Sequence, residues 1–385
     1  MDQATKLWAH SGDSHFIEPP DLWRQILPES LAARMPWSEI TGDNEETVHI
    51  DGKHYVRALP RISTKTAGGM TMAELSSRPA GTRDLSARLG DLDQEGIWGE
   101  VVYSSLGLWE NSIEDRELIR IAAAAENEWK ASEAQAIAPD RLVLVASLPL
   151  RNLDDAIAEA RHAADLGLHA VGLPAPGMPN SPTYDHSVPT LNDDHWEPLW
   201  ATLEDLGLIG AFHIGGDPGE YTLYRGPGGA VLNHTNSTYS GQRAAMLMVA
   251  SGALDRHRGL RILVSEGGAS WVPFLGDRME EAYRQHNMFV RPALSRSPRD
   301  ILFEQVYTSF QHDRSAIPAM TSMGYDKILW GSDYPHLEGT YGHTQETLHE
   351  LFDDQPPDVT HRITQGAFKE LFPHVSNPPS TRAGS

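Results

Sequence analysis

The chain has 385 residues and 40% apolar composition, enough to bury one large core. Its 53 acidic and 31 basic residues leave a formal charge of −22, which argues against nucleic acid or an anionic membrane as a partner. Cysteine is absent, so disulfides, thiolate ligands and cysteine nucleophiles are excluded, and any metal must be held by nitrogen and oxygen.

The N-terminal stretch MDQATKLWAHSGDSH lacks a basic flank followed by an apolar core, and no run of 18 apolar residues follows it, so a cytoplasmic chain is expected. From there short β-branched runs alternate with longer amphipathic ones, the pattern of repeated βα units. Eight strands are predicted, ending near Asp13, Ser105, Leu148, Leu173, His213, Glu266, Phe310 and Asp333. Such a repeat fits an α/β fold, a (β/α)8 TIM barrel, whose first and last strands lie side by side and whose chemistry sits at the strands' C-terminal ends.

Residues 38–83 interrupt the repeat after the first strand. Within them Glu46–Tyr55, centred on Asp51-Gly52, predicts a β-hairpin overhanging the barrel mouth. Three- and four-residue apolar spacing predicts helices at Glu114–Ile137, Leu153–Leu166, His195–Leu206, Gly241–Leu254 and Trp271–His286. Gly167, Gly207, Gly259 and Gly324 end helices just before strands begin. Residues 215–240, rich in Gly, Pro, Asn and Tyr, predict a long loop after the fifth strand. A last helix, Val359–Leu371, is expected outside the barrel. Residues 1–373 then form a single domain, and 374–385 a loose tail.

Four strand-end signals converge if the barrel closes: Asp13 and His15 after strand one, His213 after five, Glu266 after six and Asp333 after eight. On an extended segment Asp13 and His15, two residues apart, point the same way. Each has a bland reading: His213 as a hydrogen-bonded core histidine, Asp333 as a helix cap. Their joint placement on the face that carries barrel chemistry favours a divalent-metal site. Glu18, His312 and His336 are weaker candidates for ligands, donors to the ligands or substrate contacts. His234 reads as a solvated loop residue.

The segments GDSHFIEPPDLW (12–23), GAFHIG (210–215), VSEGGASWVPFLGDRMEEA (264–282) and LWGSDYPHLEGTYGHT (329–344) resemble the amidohydrolase superfamily. The similarity is to its amidohydrolase 2 branch, related to aminocarboxymuconate semialdehyde decarboxylase and γ-resorcylate decarboxylase. That resemblance implies that His15, His213 and Asp333 are metal ligands, with Asp13 in place of the first histidine of a His-x-His pair. It also implies a catalytic histidine after strand six, where this chain has Glu266. The carbamylated lysine of binuclear members has no counterpart, because the fourth strand reads His169-Ala170-Val171-Gly172-Leu173-Pro174 and none of the six lysines ends a strand.

Asp13, Glu266 and Asp333 beside two imidazoles would over-charge a single divalent ion, and a second cation would keep all of them ionised. Two iron ions are therefore expected, with zinc or manganese as the alternative. The carboxylate set resembles that of a small group in the superfamily, similar to the non-haem diiron monooxygenase of platensimycin and platencin diterpenoid biosynthesis. The resemblance implies hydroxylation of a bulky apolar acid or acyl thioester with dioxygen and an electron donor. The alternative is a metal-dependent hydrolase or non-oxidative decarboxylase of a small carboxylic acid, with Glu266 or Asp333 as the catalytic acid or base. A barrel that has lost catalysis and serves in binding or assembly is a third reading. A homodimer is expected, with the apolar stretch Ala244–Val249 as a possible interface.

Overall fold

Strands buried on both faces read as unbroken apolar runs, and this chain has a series of them. The computed structural model describes residues 6–19, 21–42, 45–58, 63, 65, 80–175, 186–216, 223–336 and 338–379. Its strands are Ala9–Ser11 (β1), His15–Phe16 (β2), Trp37–Gly42 (β3), Glu45–Ile50 (β4), Lys53–Ala58 (β5) and Ile97–Ser104 (β6). They continue with Leu142–Ala146 (β7), Ala170–Pro174 (β8), Ile209–His213 (β9), Ile262–Ser265 (β10), Val306–Phe310 (β11) and Ile328–Trp330 (β12).

The principal sheet runs β1-β6-β7-β8-β9-β10-β11-β12, with β2 also on β6 and every pairing parallel. The chain ends close it. Gly12 N donates to Trp330 O (2.8 Å), Asp333 N to Asp13 O (2.9 Å) and His15 N to Tyr334 O (2.6 Å). The segment after β1 is thereby stitched to the segment after β12, and the expected TIM barrel is observed.

Alternate strand residues fill the barrel, among them Val101, Tyr103, Val143, Val145, Leu263 and Tyr307. The last helix does not lie outside as expected. Ala367, Phe368 and Leu371, with Phe372 and Val375 after them, join that interior cluster, because they are the apolar residues available to seal it. The tail is anchored at its start, where Ser376 N donates to Asp140 O (2.7 Å). A larger core lies between the sheet and the surrounding helices, which include Leu85–Glu95, Leu153–Asp165 and Glu197–Leu206.

The predicted hairpin forms as β4 and β5, Ile50 opposite Lys53, and β3 adds a third antiparallel strand. Asp51 (φ 48°) and Gly52 (φ 75°) are both left-handed, as a two-residue turn matched to strand twist requires. Val48 and Ile50 pack with Trp109, Ile113 and Leu118. Residues 59–62, 64 and 66–79 of the insertion lie outside the described residues.

The helical boundary in this region needs correction. The helix after the fifth strand starts at Gly229, well before Gly241, and runs to Ala250. In its polar first half Ser237 Oγ donates to His234 O and Ser240 Oγ to Ser237 O, while the Asn233 amide bonds both Tyr224 N and Tyr224 O in the preceding segment. Of the stretch Ala244–Val249, Ala244, Ala245, Met248 and Val249 are buried in the chain's own core, while Met246 is exposed. Among the described residues no helix is long and apolar enough to cross a membrane.

Candidate metal centre

Barrel closure delivers Asp13 and His15 to the same place as Asp333, and β9 and β10 bring His213 and Glu266 beside them. Asp13, His15 and Asp333 are fully buried. His213 Nε2 lies 2.9 Å from His15 Nε2, 3.3 Å from Asp13 Oδ1 and 3.6 Å from Glu266 Oε2. His15 Nε2 is 3.6 Å from Asp333 Oδ1 and 3.9 Å from Asp13 Oδ1. Three overlapping groups have ligand atoms within 4.8 Å of one another: Asp13-His15-His213, His15-Asp333-His336 and Asp13-Glu266-Asp333.

The donor set fits a cation. Neither oxygen of Asp13 has a hydrogen-bond partner, nor does Asp333 Oδ2, although all are buried. Orphaned buried carboxylate oxygens are costly unless a cation takes them up. His213 Nδ1 lies 2.6 Å from Ile214 O, to which it donates, so Nε2 keeps its lone pair toward the cluster. Two imidazole Nε2 atoms facing each other at 2.9 Å then need a proton or a metal between them. Burial, followed by the charges of Asp333 and Asp13, pushes the Glu266 carboxyl well above the ordinary range. Burial likewise lifts Asp333, to about 6, against the pull of His336.

Backbone strain marks the same residues. Asp51, Glu266 (φ 58°) and Asp333 (φ 50°) are the non-glycine residues with positive φ among those described. Asp51 sits in a hairpin turn that requires it. The other two are held left-handed at the mouth, a cost of roughly 1–3 kcal/mol each that the surrounding structure sustains. Strand β6 supports the cluster from behind, with Tyr103 against His213 (ring centroids 4.8 Å) and its hydroxyl 2.7 Å from Ser265 Oγ, which donates to Gly12 O.

The weaker candidates divide. His336 joins the cluster: its Nδ1 is 2.9 Å from Asp333 Oδ1 and its ring stacks on His15 at 4.0 Å. Burial would lower its pKa, but Asp333 overrides this and holds it at about 9. Glu18 stands apart, one oxygen accepting the N–H groups of Leu106 and Gly107 (both 2.8 Å), because the turn that follows β6 presents those amides to it. His312 is exposed and faces His343 at 6.1 Å, outside the three groups; His234 is exposed as expected, but on the helix Gly229–Ala250 instead of in a loop.

Sequence reading misses Arg88. This fully buried side chain pairs with buried Glu100 (Nε to Oε1 2.5 Å, Nη2 to Oε2 3.1 Å) and donates from Nη1 to His15 O (2.6 Å). The signal available is Asp84, whose side chain caps the helix Leu85–Glu95 and so fixes which face Arg88 presents.

Comparisons with known proteins add to this geometry. The amidohydrolase family model matches residues 104–368. A γ-resorcylate decarboxylase from Rhodococcus jostii is 27% identical over 297 residues, spanning 72% of this chain and 85% of the relative. An amidohydrolase from Mycobacterium avium subsp. paratuberculosis has a similar structure, with a TM-score of 0.75 and 21% identity over 94% of this chain and 98% of that one. A dihydroxybenzoic acid decarboxylase from Polaromonas, solved with manganese, gives a TM-score of 0.63 at 17% identity over 96% and 98%. The named relatives are decarboxylases or amidohydrolases, so the monooxygenase expectation finds no support in them. Match and donor set together make this a metal-dependent enzyme, and the chain belongs to the amidohydrolase family.

Proposed function

We propose that the protein is a divalent-metal-dependent, non-oxidative decarboxylase of a small carboxylic acid. One observation carries this reading: side chains from four strand ends meet with buried, unpartnered ligand atoms, in a chain whose curated relatives include decarboxylases. Asp13, His15, His213 and Asp333 would hold the cation, which when bound supplies Lewis acidity toward a substrate oxygen. Manganese is the metal to try first, given the manganese-bound relative.

Glu266 is the proposed proton carrier in place of the histidine expected after the sixth strand. Burial and the neighbouring carboxylates favour its protonated form, and it lies at the edge of the ligand cluster. As the carbon–carbon bond breaks and carbon dioxide leaves, the electron pair left on carbon takes the Glu266 proton, and water restores it. His336, paired with Asp333, orients that carboxylate.

The test is carbon dioxide release from aromatic acids, 2,6-dihydroxybenzoate first, by manganese-loaded protein under nitrogen. Release lost in Asp13→Ala supports the reading; no release from any acid tested, by protein shown to hold manganese, opposes it.

A second reading rests on a specific feature, three carboxylates within 4.8 Å that share Asp13 and Asp333 with the other ligand groups. Such a set suits two cations. Two irons there would favour oxygen-dependent hydroxylation of an apolar acid or acyl thioester. Dioxygen uptake by iron-loaded protein with an electron donor separates the two.

A further inference from the structure

The residues just before three of the cluster's side chains are tied to one tyrosine of β6. Gly12 precedes Asp13, Ser14 precedes His15 and Ser265 precedes Glu266. Tyr103 N donates to Ser14 O at 2.8 Å, its hydroxyl lies 2.7 Å from Ser265 Oγ, and Ser265 Oγ lies 2.9 Å from Gly12 O. A carbonyl oxygen only accepts, so the serine gives its one hydrogen to Gly12 and takes its second bond from the phenol. The chain therefore runs one way, from Tyr103 to Ser265 to Gly12. All three residues are buried, so water does not compete for either bond. The same tyrosine ring meets His213 and His15, at 4.8 and 5.8 Å between centroids.

Both Asp13 and Glu266 need such support. The Asp13 carboxylate accepts no hydrogen bond, so its direction comes from the backbone on either side: Gly12 O on Ser265, and Asp13 O, which receives Asp333 N–H at 2.9 Å and Ser11 Oγ at 2.6 Å. Glu266 is held left-handed at φ 58°, a strained conformation that lasts only where the surroundings over-determine it. Two hydroxyls flank it, Ser309 Oγ accepting Glu266 N–H at 3.0 Å and Ser265 Oγ accepting from Tyr103. Tyr325 is the contrast. It is as deeply buried, but its hydroxyl lies 2.8 Å from Val306 O and 3.1 Å from Lys327 O, at the N-terminal end of β11 and away from the cluster.

We propose that Tyr103 is a positioning residue for the metal centre: through Ser265 its hydroxyl fixes the peptides that carry Asp13 and Glu266, and thereby how tightly the cation is held. Tyr103 itself is no ligand, because its oxygen is turned onto Ser265. Partners that orient ligands in this way set metal affinity by about 10- to 100-fold. The assignment rests on the metal centre and is independent of which acid is decarboxylated.

The test is the manganese affinity of the full-length protein, measured by competition against a chelating dye at a temperature where every variant is folded. Tyr103→Phe keeps the ring contacts and the backbone bond and removes the hydroxyl alone. It is expected to bind manganese about 10- to 100-fold more weakly. Ser265→Ala is expected to lose a similar factor, and the double variant no more than the larger single loss, because both residues belong to one chain. Tyr325→Phe is expected to melt below wild type yet bind manganese as tightly, which a general packing effect would not allow. The electron paramagnetic resonance spectrum of the bound ion should change in Tyr103→Phe and not in Tyr325→Phe. Unchanged affinity in Tyr103→Phe, or an equal loss in Tyr325→Phe, would overturn the proposal. Should Tyr103→Phe not fold, Ser265→Ala decides by the same two results. Substrate takes no part, so failure here leaves the decarboxylase reading standing, and failure of carbon dioxide release leaves this assignment standing.

Discussion

Replacing Glu266 with glutamine keeps the side chain's size and removes one ionisable group from a crowded set. Asp13, Glu266 and Asp333 each place an oxygen within 4.8 Å of the others. Two unit charges at that distance repel by about 3 kcal/mol at an effective dielectric constant of about 20, and Glu266 has two such neighbours. Proton uptake relieves part of this in metal-free protein, leaving an expected gain on the order of 1–3 kcal/mol for Glu266→Gln. At about 0.8 kcal/mol per degree for a chain of this length, the melting temperature rises by roughly 1–4 °C. The sign with pH follows from the raised carboxyl: folding holds its proton more tightly than the unfolded chain does, so its destabilisation grows as pH rises. Thermal scans of metal-free wild type and variant at pH 5 and pH 8 should therefore differ more at pH 8. Reloaded with manganese, the variant is expected to keep one ion per chain while carbon dioxide release slows by about 10²- to 10⁴-fold. A variant that melts below wild type when metal-free would rule out repulsion at Glu266, and one that decarboxylates at the wild-type rate would rule out its role as proton carrier.

Arg88→Met leaves the Glu100 carboxylate buried without its partner and should cost about 3–5 kcal/mol, most of it recovered in Arg88→Met/Glu100→Leu; denaturant titration of both reads this, and a loss below about 1 kcal/mol in the single variant would sink it. His10, buried against Phe368, is held at about 3 by burial and then by Lys369. Its contribution is complete above its unfolded pKa of 6.5 and is lost as pH falls from there toward 3, so His10→Phe should flatten the loss of stability by about 1.4 kcal/mol per pH unit. A melting-temperature profile between pH 6 and 4 as steep as wild type would count against this. In Gly331→Ala the new Cβ would stand 2.9 Å from Asp13 Cβ, so metal affinity should fall about tenfold or more in a competition titration, and unchanged affinity would mean that Asp13 is not a ligand.

The strand ends at Asp13, His213, Glu266 and Asp333 are legible in the sequence for a physical reason: a buried parallel strand is an apolar run, and it stops at the polar residue it presents. The closed barrel then needs only the two chain ends to meet. His336 is undecided in one dimension, because its direction depends on the turn through Pro335. Arg88 and Lys130 are invisible there for a different reason. Each is a charge within a helix or turn, where a linear reading assigns charge to solvent. Arg88 is buried against Glu100 of β6, and Lys130, paired with Glu126 one turn earlier on its own helix, is buried because Val145 O and Ser147 Oγ of another element take its remaining hydrogens. The helix from Gly229 is hidden by its Asn, Thr and Ser content, whose weak helix propensity is offset by side chains bonding nearby carbonyls.

The most direct test is a crystal structure of manganese-loaded protein with data at the metal's absorption edge, alongside elemental analysis of the same sample. One ion per chain is expected, bound by Asp13, His15, His213 and Asp333, with Glu266 unligated beside it. No anomalous peak among those residues would contradict the metal centre itself, and two peaks bridged by Glu266 would contradict the proton-carrier role and turn the assignment toward oxygen chemistry.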